Sequence, residues 1–399
     1  MLYQLCRAGE RFEVGDGPVA LGQHTLIIGR GDPRRSEPAS AYREGHVFID
    51  DPWMSSRHAQ VSPLGVPRGT DSVGRGRVGT GGPSRFVVED AGSTNGILVN
   101  GVLTKRAPLL HGDLLETGRT FWLYVEESSA DAMLSEPFEL GGVSTWTPSF
   151  ARQLADLLPR VPTAEHVLVC GAAGTGKGFL ARTIHVVSGR SGRFVHLDCR
   201  ERRPKRLLVD LFGDDSHAGR LRDADGGTLF LENVDTLPLE VQDRLVDAIK
   251  RRSFHPEARG GGAQATKPVA LGARIVAAMA ASVDDAVAEA RLRPSLVDAL
   301  GSVQLRMPTI QQRLPDLGLL LDDFLARARG APAISRDACR CVLQYPFRQH
   351  VRAMARVIEG AATLAGEPDL KVALDHAFLL APGGRLPFRT HRPVFQMGN

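Results

Sequence analysis

Long apolar runs are what this chain most plainly lacks. No stretch of its 399 residues approaches the ~20 apolar residues that a bilayer-spanning helix needs. The first residues, MLYQLCRAGERFEVGDG, lack the charged-then-apolar layout of a secretory leader, so the expected location is the cytoplasm. Cysteine is scarce: Cys6, Cys170, Cys199, Cys339 and Cys341 are odd in number and include no CxxC pair. That argues against a zinc knuckle or a redox pair, and for small core-filling residues. Charge of one sign is not in excess either. The balance of 49 Lys and Arg against 45 Asp and Glu is too even to argue for nucleic acid. The basic clusters RERRPKR and GRLPFRTHR read as solvated surface, with an acidic partner or nucleic acid as the alternative. No internal repeat occurs.

What is there falls into two rhythms, and the length allows two or three domains, because single cores rarely grow past ~250–300 residues. Residues 1–127 carry short apolar runs (HTLIIG, HVFID, RFVVED, GILVNG, TFWLYVE) broken by Gly, Asp and Pro. That is the pattern of an all-β sandwich. The Gly/Arg-rich stretch 65–84 predicts a loose excursion between strands. Residues 128–140 are polar and acidic and read as a linker. From about 141 strands alternate with helical segments (HVLVC, RFVHLDC, GTLFLEN, ARIVAAM), which predicts an α/β domain with a parallel sheet over 141–315. A Gly/Ala-rich loop is expected at 256–272. Over 316–382 apolar residues recur at helical spacing, among them Leu317, Leu320, Leu321, Phe324 and Leu325, then Val351, Met354 and Ile358. This predicts a small all-α lid, followed by a fraying tail at 383–399.

In the first region five signals follow in order: Gly29-Arg30; Ser55, Ser56, Arg57 and His58; Asp90 through Gly96 (DAGSTNG); Asn100-Gly101; and His111, Gly112 and Asp113. A guanidinium fork at a strand end suits a phosphate, Ser and Asn at loop tips add donors, and Gly eases turns. The ordered set resembles the forkhead-associated (FHA) domain, a sandwich that binds phosphothreonine peptides. The resemblance implies that Arg30 and Ser55 bind the phosphate, that Arg57 assists, and that Thr94 and Asn95 hold the peptide. It gives His58 a bracing role. The implied partner is a phosphothreonine protein, a Ser/Thr kinase or its substrate.

In the second region Gly171, Ala172, Ala173, Gly174, Thr175, Gly176 and Lys177 spell GxxxxGK between an apolar strand and a helix. Backbone N–H groups and a helix N-terminus then face a phosphate, and the lysine neutralises it. Position eight is Gly178, so the usual Ser/Thr hydroxyl for Mg²⁺ is missing. The surrounding text (DLFG at 210–213, ADGGTLFLEN at 224–233, MPTIQQRLPDL, VRAMARVIEGA at 351–361) resembles the AAA+ domain of sigma-54-dependent transcription activators. That family implies ATP with Mg²⁺, and assembly into homo- or hetero-oligomers.

The departures from that family are specific. Only ten residues, Asp214 to Asp223, separate the LFG text from Ala224, so the insertion carrying the sigma-contacting GAFTGA loop is missing. The Walker B acidic pair reads Glu232-Asn233: Glu232 remains for Mg²⁺, but Asn233 cannot take a proton from water. Loss of such a base typically costs ~10²–10⁴-fold in rate. The sensor-one position reads Met279-Ala280. Of two finger arginines one matches Arg293 and the other falls on Ala299. Arg352 matches the lid arginine. Residues 383–399 are too short for a helix-turn-helix DNA reader. The preferred expectation is a phospho-dependent regulatory protein whose AAA+ module binds ATP with weak or no hydrolysis. An active sigma-54-type ATPase under FHA control and a nucleotide-free scaffold stay open as alternatives.

Overall fold

The computed structural model describes residues 1–364 except 10–11, 23, 32–39, 44, 65–85, 127–133, 163–165, 201–202, 258–266, 281, 302, 328–333, 346 and 348. The expected loose stretch at 65–84, the first part of the expected linker and the tail from 383 lie outside the described residues. By internal contacts the chain divides into two units. The first holds the described parts of Met1–Pro137, Leu314–Arg348 and Ala353 onward; the second holds those of Phe138–Arg313 and Gln349–Arg352.

The first unit contains a sandwich of two six-stranded sheets. One runs in the order Glu13–Val19, Leu2–Arg7, Thr120–Tyr124, Leu114–Thr117, Ile97–Val99, Val102–Thr104. The other runs Arg106–Leu109, Phe86–Asp90, Ala59–Pro63, Leu26–Arg30, His46–Ile49, Ser40–Arg43. All its pairings are antiparallel except that of Leu26–Arg30 with His46–Ile49. Alternate side chains meet between the sheets, as in Leu26, Ile28, Val61, Val88, Leu115 and Trp122. The buried Trp122 indole is satisfied by donating to Thr117 Oγ1 at 2.8 Å.

Helices Leu317–Arg327 and Arg336–Gln344 belong to the same unit. The sequence assigned them to a lid; in the structure they lie on the sandwich. Gly318 packs so close to Leu5 that a Cβ there would meet its carbonyl oxygen at 2.0 Å. Gly9 bridges to Ile334, and Cys6 and Cys339 bury their thiols 3.6 Å apart. The polar anchor is Glu116, whose side chain is 0% exposed. It accepts from Arg340 Nε at 2.6 Å and Nη2 at 2.7 Å, and from Arg336 Nε at 3.1 Å. Its carboxylate pushes the Arg340 pKa upward. A buried carboxylate is tolerated only with such partners.

The second unit is a five-stranded parallel sheet in the order Phe194–Asp198, Thr228–Glu232, Arg274–Met279, Val167–Cys170, Val303–Arg306. Both faces are covered, which is why Arg274–Met279 is buried at every residue. One face packs on helices Pro148–Leu157 and Lys177–Val187. The other packs on Pro204–Phe212, Leu239–Arg251 and Pro294–Leu300. Three of these helices begin on proline, whose fixed φ suits the first helical position and whose missing N–H costs nothing there. Strand Phe138–Leu140 pairs with Val143–Thr145, so this unit begins within the stretch read as a linker. No described helix is long and apolar enough to cross a membrane.

Replacing Glu116 by Gln leaves two arginines facing a neutral amide. Breaking such a pair costs about 3–5 kcal/mol. Hydrogen exchange on the full chain is expected to speed up in Arg336–Gln344 and in Leu114–Thr117, with Arg274–Met279 unchanged.

Candidate functional site

Two clusters carry chemistry, one in each unit. In the sandwich, Gly29 lies mid-strand, and a Cβ on it would meet the Ser56 carbonyl oxygen at 1.9 Å. The glycine is therefore required for close approach of the loop at 50–58, not for a turn. The loop is tied down by Arg30 N–H donating to Ser55 O at 2.9 Å and by His58 N–H donating to Ile28 O at 2.8 Å.

His58 is buried between two loops. Its Nδ1 accepts from Ser55 N–H at 3.0 Å, and its Nε2 lies 3.0 Å from Gly96 O. An acceptor at Nδ1 and a carbonyl facing Nε2 fix the neutral Nε2–H tautomer. Burial lowers the His58 pKa, ahead of opposing contributions from the Gly96 carbonyl, Asp90 and Asp51. The brace holds Ser55 against Thr94: Thr94 N–H donates to Ser55 Oγ at 3.1 Å. Asn95 Nδ2 donates to Trp53 O at 2.8 Å, and Arg30 Nη1 reaches Pro52 O at 3.5 Å. Arg30, Ser55, Thr94 and Asn95 thus gather at one end of the sandwich, with three of them exposed and Ser55 half-buried. Arg57 is exposed on the same loop.

In the second unit the loop after strand Val167–Cys170 delivers helix Lys177–Val187 at the carboxyl ends of the parallel strands, where open α/β sheets bind ligands. Gly171, Gly174 and Gly176 all have positive φ. At Gly174 a Cβ would also meet Gln349 O at 2.1 Å. Lys177 Nζ donates back to the carbonyls of Gly171 at 2.7 Å and Ala172 at 3.0 Å, and burial lowers its pKa. Thr175 Oγ1 donates to Ala172 O at 2.9 Å. Arg352 N–H donates to Gly174 O at 3.0 Å.

A cavity of ≈ 400 Å³ opens here, with Gly174, Gly176, Lys177, Gly178, Glu232 and Arg352 in its wall. Positive φ glycines, a helix N-terminus, a lysine and an arginine fit the phosphates of a nucleotide. For Mg²⁺ the wall supplies one carboxylate, Glu232. Gly178 offers nothing, although a Cβ there would sit an ordinary 3.6 Å from Phe230.

The sequence did not single out Arg182, Phe194, His196 or Phe230, which also line the cavity. Arg182 lies 4.7 Å over the Phe194 ring, and His196 stacks on Phe230 at 5.2 Å. His196 Nε2 is 3.0 Å from Glu232 Oε2. Their signal was present in the alternation of FVHLD and TLFLE, which turns Phe194, His196, Phe230 and Glu232 to one side of the sheet.

Asn233 stands outside the cavity wall in a left-handed conformation with φ 59°, and its Nδ2 donates to Asp198 Oδ1 at 2.8 Å. Asp198 is also gripped by Arg200 Nε and Nη2. Chiefly through Arg200, its pKa is pulled down to about 2. A carboxylate so acidic and so paired is a poor acceptor of a proton from water. Met279 is buried in the core. Arg293 pairs with Asp243 at 3.1 Å and does not line the cavity.

Family models match both regions in order: the FHA domain over residues 26–118 and the sigma-54 interaction domain over 146–306. The alginate biosynthesis transcriptional regulatory protein AlgB of Pseudomonas syringae pv. tomato is 31% identical over 252 residues, covering 59% of this chain and 54% of AlgB. The nitrogen assimilation regulatory protein NtrX of Azorhizobium caulinodans is 30% identical over 294 residues, covering 66% and 62%. The solved structure of NtrX from Brucella abortus in complex with ADP is 27% identical, with TM-score 0.49, covering 55% of this chain and 51% of that one. The chain spans between about half and three-fifths of these curated relatives. It is a two-module chain, an FHA domain followed by a sigma-54 interaction domain of the kind found in sigma-54 transcriptional regulators.

Proposed function

We propose that this chain is a phosphothreonine-dependent regulator in which the FHA domain docks a phosphorylated protein and the AAA+ module holds ATP while hydrolysing it weakly or not at all. The observation that carries the reading is a contrast between the two phosphate sites. In the sandwich, groups suited to a phosphate ester gather at one end, and His58 braces the loops of Ser55 and Thr94. Arg30 supplies the fork, Ser55 and Thr94 the hydroxyls, Asn95 the amide for the peptide main chain, and His58 the strut between their loops. In the parallel-sheet unit the glycines, Lys177 and Arg352 of the phosphate cradle are kept, but the position for a base carries an amide.

The geometry of the cradle supports the roles proposed for its residues. Lys177 and Arg352 would hold the phosphates, and Glu232 is the one lining carboxylate that would serve an accompanying Mg²⁺. When bound, ATP would supply a charged ligand for Lys177 and Arg352 to hold, and holding it would bias the conformation of the module without turnover. Partners of the AAA+ type, either copies of this chain or active relatives, are the natural receivers of such a bias. Transcription is the process that the related regulators point to.

The docking half is tested by capturing partners from cell extract with the full chain. Arg30→Ala is expected to weaken binding of phosphothreonine protein roughly ten- to hundredfold, the loss of one or two charge-assisted hydrogen bonds. Phosphatase treatment should abolish capture by the unmodified chain. Capture that ignores both changes contradicts the docking role.

His58 gives a pH signature. Its pKa falls below the ordinary 6.5 on folding, so the unfolded chain binds the proton first. The stability from the neutral imidazole is fully present above about pH 6.5 and is lost as pH falls toward the folded value. Unfolding of the sandwich should grow easier from pH 7 to 5, and this part of the slope should vanish in His58→Asn.

The missing base is tested by exchange. Asn233→Glu alone sets a second carboxylate beside Asp198. The pair Asp198→Asn with Asn233→Glu keeps the hydrogen bond while reversing its ends. Phosphate release is expected to rise at least about tenfold in the double variant and less in the single one. Equal, unchanged rates in all three would contradict the assignment.

A further inference from the structure

Beside the phosphate-reading loops lies a second cavity, of ≈ 350 Å³, whose wall includes Trp53, Asn95 and Arg119 from the sandwich and Ser335, Arg336 and Asp337 from the helical segment. All six belong to one unit. We infer that this cavity is a specificity subsite for an acidic side chain of the phosphothreonine partner, built jointly by the FHA domain and helix Arg336–Gln344. The inference rests on the docking role proposed above and names what the partner must carry beside its phosphothreonine.

The cavity is continuous with the phosphate cluster. Asn95 belongs to both and is tied by its Nδ2 to the Trp53 carbonyl at 2.8 Å. The neighbouring Pro52 carbonyl is the contact of Arg30 Nη1. A chain whose phosphate sits at Arg30 and Ser55 therefore passes Asn95 and Trp53 on its way into the cavity.

The cationic wall is fixed before any ligand arrives. Asp51, buried beneath it, accepts from Trp53 N–H at 2.9 Å, from Arg119 N–H at 2.7 Å and from the Thr120 hydroxyl at 3.0 Å. Those three donors set Trp53 and Arg119 side by side, and the Arg119 guanidinium rests 4.6 Å over the indole. Stacking on an aromatic face orients the fork while leaving its N–H edge free in geometry for an anion. On the opposite wall Arg336 is held through Nε by the buried Glu116. Two cations thus face one lining carboxylate, Asp337, which already accepts from Arg340 Nη1 at 2.7 Å. The matching ligand is a carboxylate, with an apolar stem to lie against Trp53.

The test uses the full chain and a degenerate peptide library with a fixed central phosphothreonine, with the threonine library as control. The unmodified chain is expected to enrich Asp or Glu over Ala about tenfold at one flanking position, the value of one charge-assisted hydrogen bond. Arg119→Glu should replace that enrichment by Lys or Arg at the same position. Arg336→Gln should weaken the acidic enrichment. Retention of phosphothreonine over threonine peptides by both variants shows that the loops remain folded. Phosphothreonine retention with no acidic enrichment, or with enrichment unchanged in Arg119→Glu, overturns the subsite and leaves the docking role intact. No preference of the unmodified chain for phosphothreonine overturns both.

Discussion

The hydrogen bond between Asn233 and Asp198 is the constraint on which the proposed role of the parallel-sheet unit depends. An amide donates to a carboxylate at 2.8 Å, at the end of the two strands that frame the nucleotide cavity. The donor cannot accept a proton, and the acceptor is held ionised by Arg200 with a pKa of about 2. The proposed weak hydrolysis rests on this pair, which leaves no free base at the position. Around it the phosphate cradle is kept: glycines with positive φ, a lysine pinned on loop carbonyls, and Arg352 on the same cavity. A site that keeps charge complementarity and drops the proton acceptor fits a ligand-sensing role, which is the proposed one.

The sandwich follows the opposite logic. Its exposed groups would be useless if the loops moved independently, because each charge-assisted contact is worth only about 1.5–3 kcal/mol and ordering a loop costs a comparable amount. His58 removes that cost by joining the two loops through one ring. Asp51 does the same for Trp53 and the turn at Arg119. Glu116 fixes a helix from the far end of the chain beside them. Three buried polar groups, each fully partnered, thus convert loop tips into a preorganised surface.

Much of this was legible in the sequence because the signals are local. GxxxxGK between an apolar strand and a helix marks the loop that opens the parallel-sheet unit's cavity, and the order of Gly29-Arg30, Ser55 to His58 and Thr94-Asn95 marks the FHA domain. Short apolar runs alternating with helical segments set out the parallel sheet. What could not be read depends on distant pairs. Nothing near Glu116 announces Arg336 and Arg340, which lie 220 and 224 residues away in the chain. The partnership of Asp198 with Asn233 is visible only once the strands ending at Asp198 and Glu232 pair in register. Gly29 is conspicuous in the sequence, but the reason for it, the approach of Ser56, exists only in three dimensions. The helices after Leu317 showed their periodicity plainly, yet periodicity does not say which surface the apolar face will cover.

Nucleotide retention measures the central claim most directly. The full chain, incubated with ATP and Mg²⁺ and then separated from free nucleotide, is predicted to carry ATP. That ATP should stay uncleaved over many times the turnover period of an active AAA+ ATPase, and Lys177→Ala should carry none. Bound or released ADP accumulating catalytically, and disappearing in Lys177→Ala, would contradict the account.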